Sequence, residues 1–361
     1  MKSKKQLKKY DNVEFTDSLS DSLKTTMGKD YWKWAMFSGN YDSRDETIVY
    51  PGFVGFCVDV YNWVDKTFNT YDSNYVIGTG KKWKLELESE NWLDSYYLNM
   101  PNGLKVGMAS NLKSNIGVNI SLWGIGVGYA YNIDKLLGGE PLKHKKWDFN
   151  LNCALFSLEA FYSKNTGSIN LTRLGNFSYY NIFNTDYRFS GLILESYGAN
   201  IYYFVNNKKY SQSAAYSCSK YQTKSAGSLI AGASVSRHEA KLDFNTLPYD
   251  KMLLIPEDMR IYNIKYNDFC VMLGYGYNCA FKKNWLFNIT VIPCFGFNHS
   301  LNENQIDNQN MLSVDLIAKM ALVYNHKNFF YSLKGKLDGY YFNGVRYDFF
   351  NTNKNISFVV G

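Results

Sequence analysis

Four histidines and six cysteines are the residues of this chain best suited to nucleophilic or metal chemistry, and their spacing limits what they could do. His238 has Ser234 and Ser236 on the same face of a strand-like run, the relation a serine nucleophile needs to its base. His299 adjoins Ser300, but neighbours along a strand point to opposite faces. His144 lies in a basic linker and His326 in a tight turn. None of the four stands at ligand spacing from a carboxylate or from another histidine. The cysteines (Cys57, Cys153, Cys218, Cys270, Cys279 and Cys294) form no C-x-x-C pair. Cys270 and Cys279, at an odd offset, would face opposite sides of one strand, so free, packed thiols are the expectation. Gly124, Gly126 and Gly128 alternate as G-x-G-x-G with no strand-to-helix turn after them, and are read as small inward side chains rather than a dinucleotide loop. No catalytic residue, metal or cofactor is expected.

Charged residues form a second class. Asp59, Glu86, Asp315, Lys319, Lys334, Lys336 and Asp338 carry both signs, and each falls on the polar face of an alternating run. They are candidate lumen charges of a barrel, either paired across strands to stiffen it or lining a water-filled pore.

The runs that would position them have period two. Val54, Phe56, Val58 and Val60 alternate with Gly55, Cys57, Asp59 and Tyr61. Trp83, Leu85 and Leu87 oppose Lys84, Glu86 and Glu88. Val271, Leu273, Tyr275 and Tyr277 oppose Met272, Gly274, Gly276 and Asn278. Leu312, Val314 and Leu316 oppose Ser313 and Asp315, and Phe329, Tyr331 and Leu333 oppose Ser332 and Lys334. One face is apolar with aromatic ends (Trp83, Trp123, Trp285, Tyr324); the other is Gly, Ser, Asn and charge. A lipid-facing barrel wall has that signature. Strands of soluble sandwiches average about five or six residues, whereas these are long enough to cross a membrane at a tilt. About twelve strands are expected (10–14), near 51–63, 82–90, 103–111, 116–132, 147–162, 190–206, 224–237, 267–281, 284–297, 311–325, 328–342 and 346–361.

Composition agrees. The 361 residues include 31 Tyr, 24 Phe and 8 Trp but only 6 Pro, which suits long uninterrupted strands and opposes disorder. Mean hydropathy is −0.32. The longest apolar stretch, Leu122–Tyr131, is too short for a membrane helix of roughly 20 residues and long enough for a membrane strand of about 9–11. Helical membrane proteins are excluded. The net charge of +7 comes mostly from the five lysines of Met1–Lys9, so the body of the chain gives no support for nucleic-acid binding. That basic start resembles the n-region of a secretory signal, but polar residues 10–17 follow where an apolar h-region would stand.

The connections sort by length. Lys282–Asn284 and Asn325–Asn328 are tight turns expected on the periplasmic side, while 238–266 and 298–310 are longer and expected outside. One connection breaks the rule. Residues 206–224, NNKKYSQSAAYSCSKYQTK, join two strong strands on the expected periplasmic side without Gly or Pro. Long connections are usually functional or disordered. Two readings stand: an ordered periplasmic loop, or a segment folded into the lumen as a constriction. The constriction residues would be Asn206, Lys208, Lys209, Tyr210, Ser211, Ser219, Gln222 and Lys224.

The same region carries a resemblance. ANIYYFVNNKKYSQSAA (199–215) and KSAGS (224–228), with VIGTGKKWK (76–84), NWLDSY (91–96), LGYGYN (273–278) and VYNHKNFFY (323–331), resemble a Bacteroidota-type outer-membrane β-barrel family catalogued as a domain of unknown function. The resemblance covers roughly residues 65–361. It implies an outer-membrane location and a barrel, and no reaction, ligand or catalytic residue. Against the family both ends look trimmed: the h-region is missing, and the chain stops at Phe358-Val-Val-Gly361 where such barrels run on to a terminal aromatic residue.

The sequence is thus read as all-β, a polar N-terminal leader or periplasmic extension (1–50) followed by an antiparallel transmembrane barrel (51–361) in the outer membrane of a Gram-negative bacterium. A narrow passive channel or a binding or structural barrel is the expected role. The alternatives are a phospholipid hydrolase or acyltransferase and a surface adhesion protein. Outer-membrane lipid and the barrel assembly machinery are the expected partners, and nucleic acid is not.

Overall fold

The computed structural model describes residues 27–37, 43–68, 70–79, 83–100, 102–122, 125–134, 144–166, 169–175, 177–178, 188–301, 310–343 and 347–361. Residues 1–26 of the expected leader, Trp123 and Gly124, and most of the loop 298–310 lie outside the described residues. The chain divides into one unit of residues 1–67 with 80–82, and a second of 68–79 with 83–361.

In the first unit, α1 spans Tyr31–Phe37 and α2 spans Gly52–Phe68. The Gly55 N–H donates to the Pro51 carbonyl at 2.8 Å, so α2 begins on a proline whose missing N–H no helix turn would use. Ser43 and Asn62 are joined side chain to side chain at 2.7 Å, and Arg44 meets Asp65 at 2.9 Å. The expected strand over 51–63 is therefore corrected to helix. Phe53, Phe56, Val60 and Trp63 recur at three- and four-residue spacing, and a short run of alternating valines satisfies either period. Asp59 is exposed on α2 and is not a lumen charge; the wall of the second unit begins at Trp83, not Pro51.

In the second unit a lead-in strand, β1 (Val76–Gly78), precedes the wall. The wall opens with β2 (Trp83–Asn99), β3 (Lys105–Ala109), β4 (Lys113–Leu122), β5 (Ile125–Asn132), β6 (His144–Asn152) and β7 (Phe156–Asn165). It goes on through β8 (Ile169–Leu174), β9 (Phe177–Ser178), β10 (Arg188–Phe189) and β11 (Leu192–Phe204). After α3 (Gln212–Tyr216) and β12 (Lys220–Gln222), it continues through β13 (Ala226–Asp243), α4 (Tyr249–Met252) in a loop, and β14 (Ile261–Phe281). The last four strands are β15 (Trp285–Ser300), β16 (Asn310–His326), β17 (Phe329–Asn343) and β18 (Asp348–Val360). The expected single strands over 116–132 and 147–162 are corrected to two hairpins, β4–β5 and β6–β7.

All pairings are antiparallel, and the sheet runs in the order β10-β8-β3-β2-β18-β17-β16-β15-β14-β13-β11-β7-β6, with β4 on the lower half of β2 and β5 on β4. β6, at one end of this order, meets β2, from near the other end, across the interior: Lys146 on β6 lies 2.7 Å from Glu90 on β2. Strands so far apart along a sheet touch only if the sheet curls round on itself. Among the described residues, twelve strands reach the end of the tight turns: β2, β4, β5, β6, β7, β11 and β13 to β18.

The wall is inside out. On β14, Val271 and Leu273 are 68% and 64% exposed, while Asp268 and Asn278 are 2% and 0%. The same inversion holds on β15 and β16, where Ile289 and Leu312 face outward and Asn288, Thr290, Asp315 and Lys319 are buried. Such a surface suits hydrocarbon, and closing the sheet satisfies the backbone that lipid cannot. A line of rings, Phe281–Trp285–Tyr324–Tyr331, crosses four strands at the tight-turn end with centroids 4.7–6.4 Å apart, the place of an interfacial aromatic girdle. The β14–β15 and β16–β17 turns contain no glycine. Lys282, Asn284 and Lys327 take the left-handed conformation themselves, as hairpin reversal demands.

A charge placed on the outer face, at Val271 midway along β14, is expected to destabilise the barrel by about 2–4 kcal/mol. Urea unfolding of Val271→Arg in lipid vesicles measures it; an unchanged stability would mean this face does not meet lipid.

Candidate functional site: the barrel lumen

The segment between β11 and β13 starts at Asn206, whose backbone N–H donates to Ser228 Oγ (3.0 Å) and whose side chain donates to the Gly227 carbonyl (2.8 Å). Ser211 then caps α3, its hydroxyl accepting from the Ala214 N–H at 3.2 Å, the ordinary role of serine at a helix start. The cap directs α3 toward inward-facing residues from around the wall. Ala214, Ala215 and Cys218 pack with Leu286, Ala321, Val323, Phe330 and Val359 of β15 to β18. Tyr216 donates to Asn288 Oδ1 at 2.6 Å, Lys84 of β2 donates to the Ser217 carbonyl at 2.5 Å, and Ser213 donates to the Asn152 carbonyl at 3.2 Å.

Gln222 and Tyr210 are the hubs of this segment. Gln222 accepts from the Ser211 N–H and from Asn278 of β14, and donates to the carbonyls of Lys209 and Lys224, all within 3.1 Å. A fully used amide of this kind holds both ends of the segment to the wall. Tyr210, wholly buried, donates to Gln212 at 2.7 Å and accepts from Asn288 at 3.2 Å. Burial pushes its phenol up to about 12 and raises the Cys218 thiol as well. Gly276 leaves the room Tyr210 needs, because a Cβ there would run into the phenol. From below, β1 pairs with β12, and Tyr71 hydrogen-bonds Ser211 at 3.2 Å.

Deeper in the lumen, charges are paired across the barrel. Lys319 on β16 binds Glu159 on β7, and Tyr202 donates to the same carboxylate at 3.2 Å. The Lys319 ammonium also lies 5.0 Å from the centre of the Tyr202 ring. Lys336 meets Asp338 at 3.0 Å and Glu159 at 3.9 Å. Lys146 reaches Glu90 at 2.7 Å and Asp148 at 3.2 Å, and Asn355 donates to Glu90. Burying such charges is tolerable only because each has a partner.

Above this lattice His238 is 4% exposed. Its ring sits between Tyr266 and Tyr340, centroids 5.0 and 4.8 Å away, with Ser196 at 2.9 Å from Nδ1 and Ser236 at 2.8 Å from Nε2. The far end is apolar. Phe244, Leu247 and Ile255 from the β13–β14 loop pack with Leu98, Met108, Ile169, Leu192, Leu242, Ile264, Phe342 and Phe349, which come from eight different strands. A cavity of about 460 Å³ opens there, lined by Asn102, Gly103, Leu104, Lys105, Arg173, Leu174, Gly175 and Leu254.

Of the residues named from sequence, Tyr210, Ser211 and Gln222 are buried against the wall, Asn206 and Ser219 are half-buried, and Lys208, Lys209 and Lys224 are exposed. Lys209 and Lys224 stand over the Tyr75 ring at 5.1 and 5.5 Å. Glu86, paired with Lys84 at 2.9 Å, faces inward, as do Asp315, Lys319 and Asp338; Lys334 and Lys336 are half-buried. Sequence reasoning missed Glu90, Lys146 and Glu159. Glu159 sits on β7 of the β6–β7 hairpin, and its alternation with Leu158 and Ala160 is the available signal.

A family model described as a domain of unknown function (DUF4421) matches residues 70–361. No curated protein matches the chain. Among solved structures, the outer membrane protease OmpT of Escherichia coli is 11% identical, with 77% of this chain and 94% of that chain covered, at a TM-score of 0.28. The translocator domain of the autotransporter NalP of Neisseria meningitidis is 11% identical, with 84% and 95% covered, at 0.31. The toluene transporter TodX of Pseudomonas putida is 6% identical, with 77% and 89% covered, at 0.22. These scores are low, and the barrel assignment rests on the inverted wall.

Two outcomes are expected at this site. Gly276→Val displaces Tyr210, so maleimide labelling of Cys218 in the folded barrel accelerates at least tenfold; an unchanged rate would separate Tyr210 from the seating of α3. Lys319→Met leaves the buried Glu159 only Tyr202 and the more distant Lys336 and costs about 3–5 kcal/mol, most of it recovered in the double variant with Glu159→Gln, as a double-mutant cycle in urea reads directly.

Proposed function

This chain belongs to the family of that domain of unknown function, and on that premise we propose that it is an outer-membrane β-barrel held shut along its length, acting as a binding or structural barrel. The observation that carries this reading is that side-chain contacts occupy the lumen at three levels. Segment 206–224 lies against inward-facing residues at the tight-turn end, ion pairs cross the middle, and an apolar cluster draws on eight strands at the far end. A permanently open pore would need those groups facing water. Segment 206–224 acts as a constriction in this reading, and the paired charges stiffen the barrel. The tight-turn end faces the periplasm of a Gram-negative cell, the outer face takes lipid, and the barrel assembly machinery inserts the chain.

A narrow channel is the second reading, favoured by one observation. Segment 206–224 is tied through β12 to β1, the stretch that leads into the first wall strand, so a pull on that stretch would draw on the segment. The hydrolase alternative has its base in His238, but the imidazole is enclosed and both ring nitrogens are taken by serines.

Planar-bilayer recording decides among these. The intact barrel is expected to give no conductance steps, and steady ohmic conductance would overturn the closed reading. In the channel reading, Tyr210→Ala with Gln222→Ala opens steps whose ion selectivity changes on adding Lys334→Glu. Phospholipid turnover abolished by His238→Ala would instead favour the enzyme.

A further inference from the structure

Asp268, Cys270 and Asp315 converge on the inner surface of the wall. Asp268 and Cys270 are two residues apart on β14 and share its inward face, and Asp315 comes from β16, with β15 between. One oxygen of each carboxylate and the thiol sulfur lie within 4.8 Å of one another. Cys270 Sγ is 2.9 Å from Asp268 Oδ2 and 3.5 Å from Asp315 Oδ2. All three residues are buried, at 2%, 4% and 6% exposure.

The charge balance of this cluster differs from that at Glu90, Glu159 and Asp338. Glu90, Glu159 and Asp338 each have a lysine; Asp268 and Asp315 have no ion pair among the described residues. Asp268 Oδ1, fully enclosed, also has no hydrogen-bond partner. The Tyr341 N–H donates to Asp315 Oδ1 at 3.1 Å, which orients that carboxylate and leaves its other oxygen toward the sulfur. Two buried carboxylates beside a thiol, without a cation, form an expensive arrangement. A metal ion supplies the missing charge.

We propose that Asp268, Cys270 and Asp315 bind one zinc ion. Thiolate favours zinc over magnesium or calcium, and with the two carboxylates it makes three protein ligands, the fourth tetrahedral position being taken by water. With Zn–S of about 2.3 Å and Zn–O of about 2.0–2.2 Å, tetrahedral ligands sit roughly 3.3–3.7 Å apart. The Cys270–Asp315 distance already matches, and the Cys270–Asp268 contact opens by about half an ångström. On binding, the Cys270 S–H bond breaks, its electron pair goes to the metal and the proton to solvent. His238 does not join, since Ser196 and Ser236 hold both its nitrogens. The ion joins β14 to β16 across β15. It enters during folding, because contacts fill the lumen above and below it.

The test uses the full chain, folded in detergent with one equivalent of Zn²⁺ and dialysed against metal-free buffer. About one zinc per chain is expected by atomic emission, retained against EDTA in the folded barrel and released on heating. Folding with Co²⁺ instead gives a thiolate-to-cobalt charge-transfer band. Cys270→Ser abolishes the band and Asp315→Asn lowers metal retention at least tenfold, whereas Cys279→Ser, whose sulfur lies outside the cluster, changes neither. Each variant is first shown to be folded by its heat-dependent gel mobility. No zinc in the wild-type barrel, or no cobalt band, overturns the proposal and leaves a proton shared by the two carboxylates. Undiminished binding in a folded Cys270→Ser barrel overturns it equally. The wild-type measurements stand even if a variant fails to fold.

Discussion

The constraint on which the rest depends is that lipid offers no hydrogen-bond partners. A backbone crossing hydrocarbon must satisfy every N–H and C=O internally, and a sheet does so only by curling until its edges meet. Curling separates two faces with opposite solvents. The convex face keeps Val271, Leu273, Ile289 and Leu312 toward the apolar phase. The concave face must then gather every polar side chain that the alternation turns inward, in a space where each needs a partner.

That requirement explains the interior. Glu159 takes Lys319, Lys336 takes Asp338, and Lys146 bridges to Glu90. Asn278 and Asn288 have no charge to offer, so they are met by the amide of Gln222 and the phenols of Tyr210 and Tyr216. The connecting segment is therefore more than a cover: it supplies hydrogen-bonding capacity that the lower wall lacks. Its apolar half, Ala214, Ala215 and Cys218, fits where the inward residues of β15 to β18 turn aliphatic or aromatic. The polarity of the segment follows the polarity of the wall, residue by residue.

The strands from β11 onward were legible because their alternation extends over many residues, and a long period-two run has one interpretation. The failures came where the run was short or ambiguous. Residues 51–63 alternate for only four valine and phenylalanine positions, which a helix face accommodates as well, and α2 resulted. The stretches 116–132 and 147–162 each contain a reversal at which the apolar face switches parity, from Leu122 to Ile125 and from Leu151 to Leu158; that break is the mark of a hairpin, and a reading by continuous alternation passes over it. The long segment 206–224 stood out by its length, yet its composition could not say which of its residues would face the wall.

The sequence by itself determined the chemistry of the two faces and thus the class of environment, because side-chain direction along a strand is a local property. It marked the tight turns at Lys282–Asn284 and Asn325–Asn328, and it carried the family resemblance that the match over residues 70–361 bears out. Only the tertiary structure decided which inward groups meet. Glu90 with Lys146, Glu159 with Lys319, and Asp268 with Asp315 are far apart in the chain, and their encounter depends on strand register and on how tightly the sheet curls. Those are properties of the curled sheet, which no local pattern of residues encodes.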